Sequence, residues 1–154
     1  MLRNARGFTL IELMIVCVIL GILAAIGIAN YMSMQNRART TQVVETMQIV
    51  RLTIEDFATR NNGNYPQNGA TISAEGGFTF GGLLPASGLP INPYTNAVTS
   101  LDWSNGLLTP PSTDPAGGVS LNTAQSTPGG AFDQYDILGS SETGAPLRTV
   151  FKNY

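Results

Sequence analysis

The sequence predicts an α+β fold in which a long N-terminal helix packs on a small C-terminal antiparallel β-sheet. No proline occurs before Pro66, and helix-forming residues are frequent there, so one helix of about 50 residues can run through this part. All nine prolines and 14 of the 17 glycines lie after residue 62, where many turn residues are typical of short strands. The chain of 154 residues therefore divides into a helical first part and a β-rich second part.

The chain begins with a short basic segment that is followed by an apolar one. Residues 1–7 contain Arg3 and Arg6, and no charged side chain occurs from Leu13 to Ala29. At about 1.5 Å per residue, a helix from Phe8 to Ala29 is roughly 30 Å long, which matches the hydrocarbon layer of a bilayer. We therefore expect a transmembrane helix at 8–30, and the arginines before it are expected to hold the start of the chain at the cytoplasmic side.

Glu12 is the one carboxylate inside the apolar segment. An ionised carboxylate in hydrocarbon costs several kcal/mol, so a membrane segment retains one mainly where it has a partner or a task. Phe8 lies four residues earlier, which is one helical turn. A free amine on Phe8 would therefore lie beside Glu12, and it would exist if the chain were cut between Gly7 and Phe8.

The sequence Gly7-Phe8-Thr9-Leu10-Ile11-Glu12, behind a basic leader, resembles the processing signal of type IV pilins and of the pseudopilins of type II secretion. In those families a prepilin peptidase cuts after the glycine and methylates the new N-terminal phenylalanine, and the mature subunits polymerise. The resemblance implies that residues 1–7 are a leader peptide that is removed. It further implies a single-pass precursor in the inner membrane and a cell-surface or periplasmic filament. It also implies four partners: copies of the chain itself, the peptidase and N-methyltransferase, an assembly ATPase and an inner-membrane platform protein.

Four small residues recur every four positions along the apolar helix, namely Cys17, Gly21, Ala25 and Ala29. This spacing places them on one stripe of the helix. Small residues let helix backbones approach closely, which favours helix association where hydrophobicity cannot drive it. We predict that this stripe and Glu12 are the assembly residues, with Cys17 as a small packing side chain.

Residues 31–154 are predicted to form the extracytoplasmic domain, which starts with an amphipathic helix to about residue 61. Asn61, Asn62 and Gly63 suit a left-handed helix cap, and Pro66 follows. The spacing of the apolar residues predicts one core-facing stripe. It consists of Val43, Met47, Val50, Ile54 and Phe57.

Five strands are predicted after this helix, and we expect them to form an antiparallel sheet against its apolar stripe. They cover Phe78 to Leu84, Val98 to Trp103, Val119 to Thr123, Phe132 to Leu138 and Leu147 to Phe151. The arginines of the helix are expected to lie on its solvated face. They are Arg37, Arg39, Arg51 and Arg60.

Composition argues against several classes of function. Loss of Arg3 and Arg6 with the leader leaves six basic side chains against ten acidic ones, so attraction to nucleic acid is not expected. The chain contains no histidine and a single cysteine, which removes thiolate and imidazole metal sites and histidine-based catalysis. No cofactor is predicted; Asp133, Asp136 and Glu142 are weak calcium candidates without an EF-hand loop pattern.

The sequence is therefore interpreted as a structural subunit of a type IV pilus-like filament and not as an enzyme, because no acid, base and nucleophile converge in it. A pseudopilin of a type II secretion system is the alternative within the superfamily. The Gly63–Pro66 turn, the Ile91–Asn96 loop and the lack of a C-terminal disulfide favour it. A Sec-type signal peptide or a membrane-anchored binding domain would explain the apolar segment but not Glu12.

Overall fold

The structure, a computed structural model, describes residues 7–85, 88–105 and 115–153. The predicted leader, apart from Gly7, therefore lies outside the described residues. The chain separates into two compact units, Met1–Arg37 and Ala38–Tyr154. A long helix and a four-stranded sheet are present, so the predicted α+β class is confirmed.

The long helix, α1, extends over Leu10–Arg60. It begins two residues after the predicted start because Thr9 caps it, as described below. At its other end, Asn62 and Gly63 adopt φ values of 54° and 83°, and the amide of Gly63 donates to the carbonyl of Ala58 at 2.8 Å. The predicted left-handed cap is thus confirmed.

The first unit consists of the apolar part of α1. Every described residue from Gly7 to Arg37 is exposed, including the large aliphatic side chains. This part of the helix is long and apolar enough to cross a membrane. Its apolar surface has to be covered by lipid or by another protein, because it buries nothing within its own unit.

The second unit has a closed core between α1 and the sheet. The predicted stripe of five residues on α1 is fully buried, which confirms it. Opposite it lie apolar side chains of the sheet and of two connecting segments. They are Val119, Leu121, Tyr135, Ile137, Phe80 and Leu89.

The sheet contains β1 (Leu101–Asn105), β2 (Val119–Ala124), β3 (Gln134–Ser140) and β4 (Pro146–Lys152), in that spatial order. The pairs β2/β3 and β3/β4 are antiparallel, as predicted. The pair β1/β2 is parallel, which the prediction missed. Roughly a dozen residues separate β1 from β2, and a connection of that length permits parallel pairing.

The first predicted strand, Phe78 to Leu84, is wrong. A single helical turn, α2 (Phe80–Leu83), occupies this segment, and the side chain of Thr79 caps it by accepting from the amide of Gly82. Two consecutive glycines interrupt the apolar pattern and weaken a strand there. Phe80 is nevertheless fully buried, with its ring edge-on to Phe57 at 6.0 Å.

Three of the four arginines do more than line a solvated face. The guanidinium carbons of Arg39, Arg51 and Arg60 lie over aromatic rings that follow α1 in sequence, at 5.6, 5.2 and 5.1 Å from the ring centroids. The rings belong to Tyr94, Phe151 and Phe78. Each cation–π contact ties a later segment of the chain to α1.

The C-terminal end of the sheet is held by Asn153. Its Oδ1 accepts from the amide of Tyr135 at 2.8 Å, and its Nδ2 donates to the hydroxyl of Tyr65 at 3.0 Å and to the carbonyl of Asp133 at 3.1 Å. The hydroxyl of Tyr135 donates to Glu55 at 2.6 Å, and burial together with this carboxylate raises the pKa of Tyr135 far above its ordinary value. The second unit thus fixes its end with polar contacts and no disulfide.

Candidate processing and assembly site

Thr9 and Glu12 form a reciprocal cap at the start of α1. The hydroxyl of Thr9 accepts from the amide of Glu12 at 3.3 Å. The carboxylate of Glu12 accepts from the amide of Thr9 at 3.0 Å and from its hydroxyl at 2.8 Å. These bonds satisfy donors that the first helical turn leaves without intrahelical partners. Gly7 and Phe8 precede the cap and lie outside the helix.

The cap supplies a partner for Glu12 that the sequence interpretation missed. That interpretation assigned the amine of Phe8 to this role, but in the full-length chain the nitrogen of Phe8 is part of the peptide bond to Gly7. A threonine three residues before a glutamate, at the start of an apolar run, is the pattern of a capping box. The signal was therefore present in the sequence.

The four residues of the predicted small-residue stripe all lie in the first unit and are exposed. A Cβ atom added at Gly21 would have nothing within 4 Å, so no neighbouring side chain crowds this position. Long aliphatic side chains flank the stripe, among them Leu20, Ile22 and Ile26, and they are exposed as well. The stripe is a shallow line of small residues on an otherwise bulky apolar surface.

The three calcium candidates are not brought together. Asp133 precedes β3 and Glu142 follows it, and seven strand residues at about 3.3 Å each keep the two roughly 20 Å apart. Asp136 is fully buried and accepts from Asn122 Nδ2 at 2.6 Å. Within the described residues, no group of three or more potential ligands forms a metal site.

Asp133 serves a local purpose instead. Its carboxylate accepts from both the hydroxyl and the amide of Ser126, and these bonds hold the pKa of Asp133 below its ordinary value. They close the loop between β2 and β3. The Asp133 carboxylate therefore has a structural role, because it stabilises the loop between β2 and β3.

Comparisons with known proteins support the resemblance at the N-terminus and extend it. Residues 2–28 match the family described as "Prokaryotic N-terminal methylation motif". Prepilin peptidase-dependent protein D of Escherichia coli (strain K12) is 30% identical over 116 residues, which cover 75% of this chain and 69% of that protein. The chain belongs to the type IV pilin and pseudopilin superfamily.

Two further relatives of this pilin-like chain are major pilins. The type IV wide pilus major component PilA4 of Thermus thermophilus is 37% identical over 49% of this chain, and the type IV major pilin protein PilA of Myxococcus xanthus is 46% identical over 36% of it. The chain spans 56% and 24% of the lengths of these two relatives. No solved structure matches the chain.

Proposed function

We propose that this pilin-like chain is a structural subunit of a type IV pilus-like filament and polymerises through the first unit of α1. The observation that carries the proposal is the exposure of every described residue of that unit, although most of its side chains are apolar. In the precursor, the lipid bilayer covers this surface. In the filament, the same surface of neighbouring copies covers it, because lipid is no longer available.

The stripe from Cys17 to Ala29 is proposed as the line of closest approach between these helices. Its small side chains let two helix backbones approach more closely than the isoleucines and leucines beside them allow. Cys17 contributes here through its size and not through redox chemistry.

Processing is proposed to occur between Gly7 and Phe8, followed by methylation of the amine of Phe8. Both residues are exposed and lie outside the helix, where a protease can reach a backbone that is free of helical hydrogen bonds. Gly7 has no side chain, and a Cβ built there meets nothing within 4 Å, so the approach to the scissile bond is open. The new amine then provides Glu12 with a cationic partner, on the same chain or on a neighbouring one.

The proposal includes the partners that the superfamily implies. They are a prepilin peptidase and N-methyltransferase, an assembly ATPase and an inner-membrane platform protein. The names of three relatives support processing by a prepilin peptidase and polymerisation, since one is a prepilin peptidase-dependent protein and two are major pilins. We propose the inner membrane as the location of the precursor, and the cell surface or the periplasm as the location of the filament.

Mass spectrometry of subunits from sheared surface filaments tests the proposal. We expect an intact mass that corresponds to a chain beginning at Phe8 with one added methyl group. A mature chain that begins near Asn30 would lack Glu12 altogether, and one that still carries Met1 would have no free amine at Phe8. Either result would contradict the proposal.

A pseudopilin of a type II secretion system is the second candidate. Two features favour it. The C-terminal end of the sheet is held by hydrogen bonds of Asn153, whereas many pilins use a disulfide there, and the chain contains the Gly63–Pro66 turn. Deletion of the chain separates the two candidates. Loss of surface filaments with normal protein secretion supports a pilus subunit, whereas failed secretion from cells without long filaments supports a pseudopilin.

A further inference from the structure

Asparagine is followed by glycine at three places in the sequence, at residues 62–63, 68–69 and 105–106. In such a pair the backbone nitrogen of the glycine can attack Cγ of the asparagine, because glycine has no side chain that hinders the approach. The third pair includes a residue outside the described ones. The asparagines of the first two pairs are both exposed, so their backbone environments can be compared directly.

The cap at the end of α1 protects the first pair. The amide of Gly63, which would have to attack Asn62, donates to the carbonyl of Ala58 at 2.8 Å. This bond and the left-handed φ of 54° at Asn62 belong to the cap that ends α1. Attack by the Gly63 nitrogen therefore requires the cap to open first.

The second pair lies in a turn that leaves the attacking nitrogen unbonded. The amide of Thr71 closes this turn by donating to the carbonyl of Asn68 at 3.1 Å. The amide of Gly69 has no hydrogen-bond partner among the described residues, and Gly69 is partly exposed to water. No hydrogen bond therefore has to break before the nitrogen of Gly69 can act as a nucleophile.

The side chain of Asn68 is held through its oxygen and not through its nitrogen. Its Oδ1 accepts from the amide of Ala70 at 3.0 Å and from the hydroxyl of Thr71 at 3.3 Å. Negative charge develops on this oxygen when a nitrogen adds to Cγ, and hydrogen-bond donors placed there stabilise such a charge. Nδ2, which has to leave, makes no hydrogen bond to any residue that the structure describes.

We propose that Asn68 is a site of spontaneous deamidation and that the helix cap protects Asn62 from the same reaction. The nitrogen of Gly69 bonds to Cγ of Asn68, the bond between Cγ and Nδ2 breaks, and the proton lost by Gly69 leaves with Nδ2 as ammonia. Water then opens the resulting cyclic imide at either carbonyl, which yields aspartate or isoaspartate. Neither step needs an oxidant, a reductant or a second protein.

The modified turn is the one that holds α2. The carbonyl of Gly69 accepts from the amide of Gly81 at 2.9 Å, and the carbonyl of Thr71 accepts from the amide of Phe80 at 3.1 Å. Isoaspartate at position 68 routes the main chain through the side-chain carbonyl and adds a carbon to the turn. This change is expected to weaken both bonds, and with them the attachment of the buried ring of Phe80.

Timed peptide mapping of the full-length chain in detergent tests the site. The chain is incubated at mildly alkaline pH, and cleavage after Arg60 and Glu75 releases one peptide that contains both asparagines. Fragmentation of this peptide in a mass spectrometer locates the amide that has become a carboxyl group. We expect conversion at Asn68 to be at least about fivefold faster than at Asn62, because the hydrogen bond of Gly63 opposes the latter.

Two controls separate the effect of the fold from that of the sequence. Urea removes the cap and the turn but leaves both asparagine–glycine pairs intact, so in the unfolded chain the two conversion rates should lie within about twofold of each other. Gly69→Ala should fold, since its new Cβ would lie 3.9 Å from the ring of Trp103. Its methyl group hinders the nitrogen, and we expect conversion at Asn68 to slow at least about tenfold while Asn62 is unaffected.

The proposal makes the order of the two rates depend on the fold. A rate ratio in the folded chain no larger than the ratio in urea would overturn it. An Asn68 that stays intact in the folded chain, over the time in which the unfolded chain is fully converted, would overturn it as well. These outcomes do not depend on the proposed filament function.

Thermal unfolding tests the consequence for α2. We expect the parent chain to melt at a lower temperature after incubation than before it, and Gly69→Ala to keep its melting temperature under the same treatment. Equal melting temperatures of the fresh and the converted parent chain would show that the modified turn still holds α2. That result would refute the consequence and leave Asn68 standing as the modified residue.

Discussion

At the scale of single residues, Glu12 has two properties that the structure lets us separate. Its carboxylate caps α1 by accepting two bonds from Thr9, and it carries a negative charge into an apolar segment. Capping needs an acceptor, whereas pairing with the amine of Phe8 needs the charge. Glutamine accepts at this position of a capping box but carries no charge.

We expect Glu12→Gln and Glu12→Ala to reach the membrane at parental levels and to lose efficient assembly, because both lack the charge. Only Glu12→Ala should loosen the first turn of α1, at a cost of about 1 kcal/mol, since alanine removes the two bonds that Glu12 accepts from Thr9 and leaves only the one that the Thr9 hydroxyl accepts. Filament yield and amide hydrogen exchange at residues 10–13 in detergent micelles measure the two effects. Parental filament yield from Glu12→Gln would mean that assembly depends on the cap and not on the charge.

At the scale of elements, Gly139 sets how closely β3 approaches α1. A Cβ atom at this position would lie 2.7 Å from Met47 Sδ and 2.9 Å from Val43 Cγ1, and both side chains are fully buried. Real Cβ atoms do not approach neighbours so closely in a packed core. A glycine therefore lets the strand and the helix pack against each other here.

Gly139→Ala is expected to destabilise the second unit by about 1 to 3 kcal/mol, because the added methyl group must displace Val43 and Met47. Gly69→Ala is the control: its new Cβ would lie 3.9 Å from the ring of Trp103, which is an ordinary contact distance. Thermal unfolding of the two variants in detergent, followed through tertiary signals, makes the comparison. Equal melting temperatures would show that α1 and β3 can move apart at little cost.

The elements that the sequence predicted are those with local signals. The buried stripe of α1, its left-handed end at Asn62 and the strand pair β2/β3 follow from periodicity and turn residues. The parallel pairing of β1 with β2 could not be predicted in this way, because it depends on the path of the long connection between the two strands. The aromatic partners of Arg39, Arg51 and Arg60 lie tens of residues away in sequence, and no local pattern encodes such contacts.

The candidate site was also predicted only in part, although its missing element is local. The Gly7–Phe8 motif and the importance of Glu12 came from residue type and spacing, but the role of Thr9 was missed although its spacing to Glu12 is local. The sequence interpretation considered only the charge of Glu12 and not its capacity to accept hydrogen bonds. The bridge between Ile91 and Val98 could not be predicted either, because no local pattern in the sequence indicated it.

At the scale of the whole molecule, the two units have opposite surface properties. The described part of the first unit buries no side chain and is strongly apolar. The buried side chains that the structure describes all belong to the second unit, and the first of them along the chain is Val43. The core that stabilises the second unit is thus complete without the membrane segment.

We therefore expect residues 31–154 alone to be soluble, folded and monomeric, because the fragment retains every buried side chain that the structure describes and lacks most of the segment proposed to polymerise. Sedimentation and circular dichroism of the fragment test this. Residues 62–154 provide the contrast: they lack the α1 stripe from Val43 to Phe57, leave the apolar face of the sheet uncovered, and should aggregate or stay unfolded. If residues 31–154 also aggregate, the second unit needs the membrane segment to fold, and the boundary between the units is not a folding boundary.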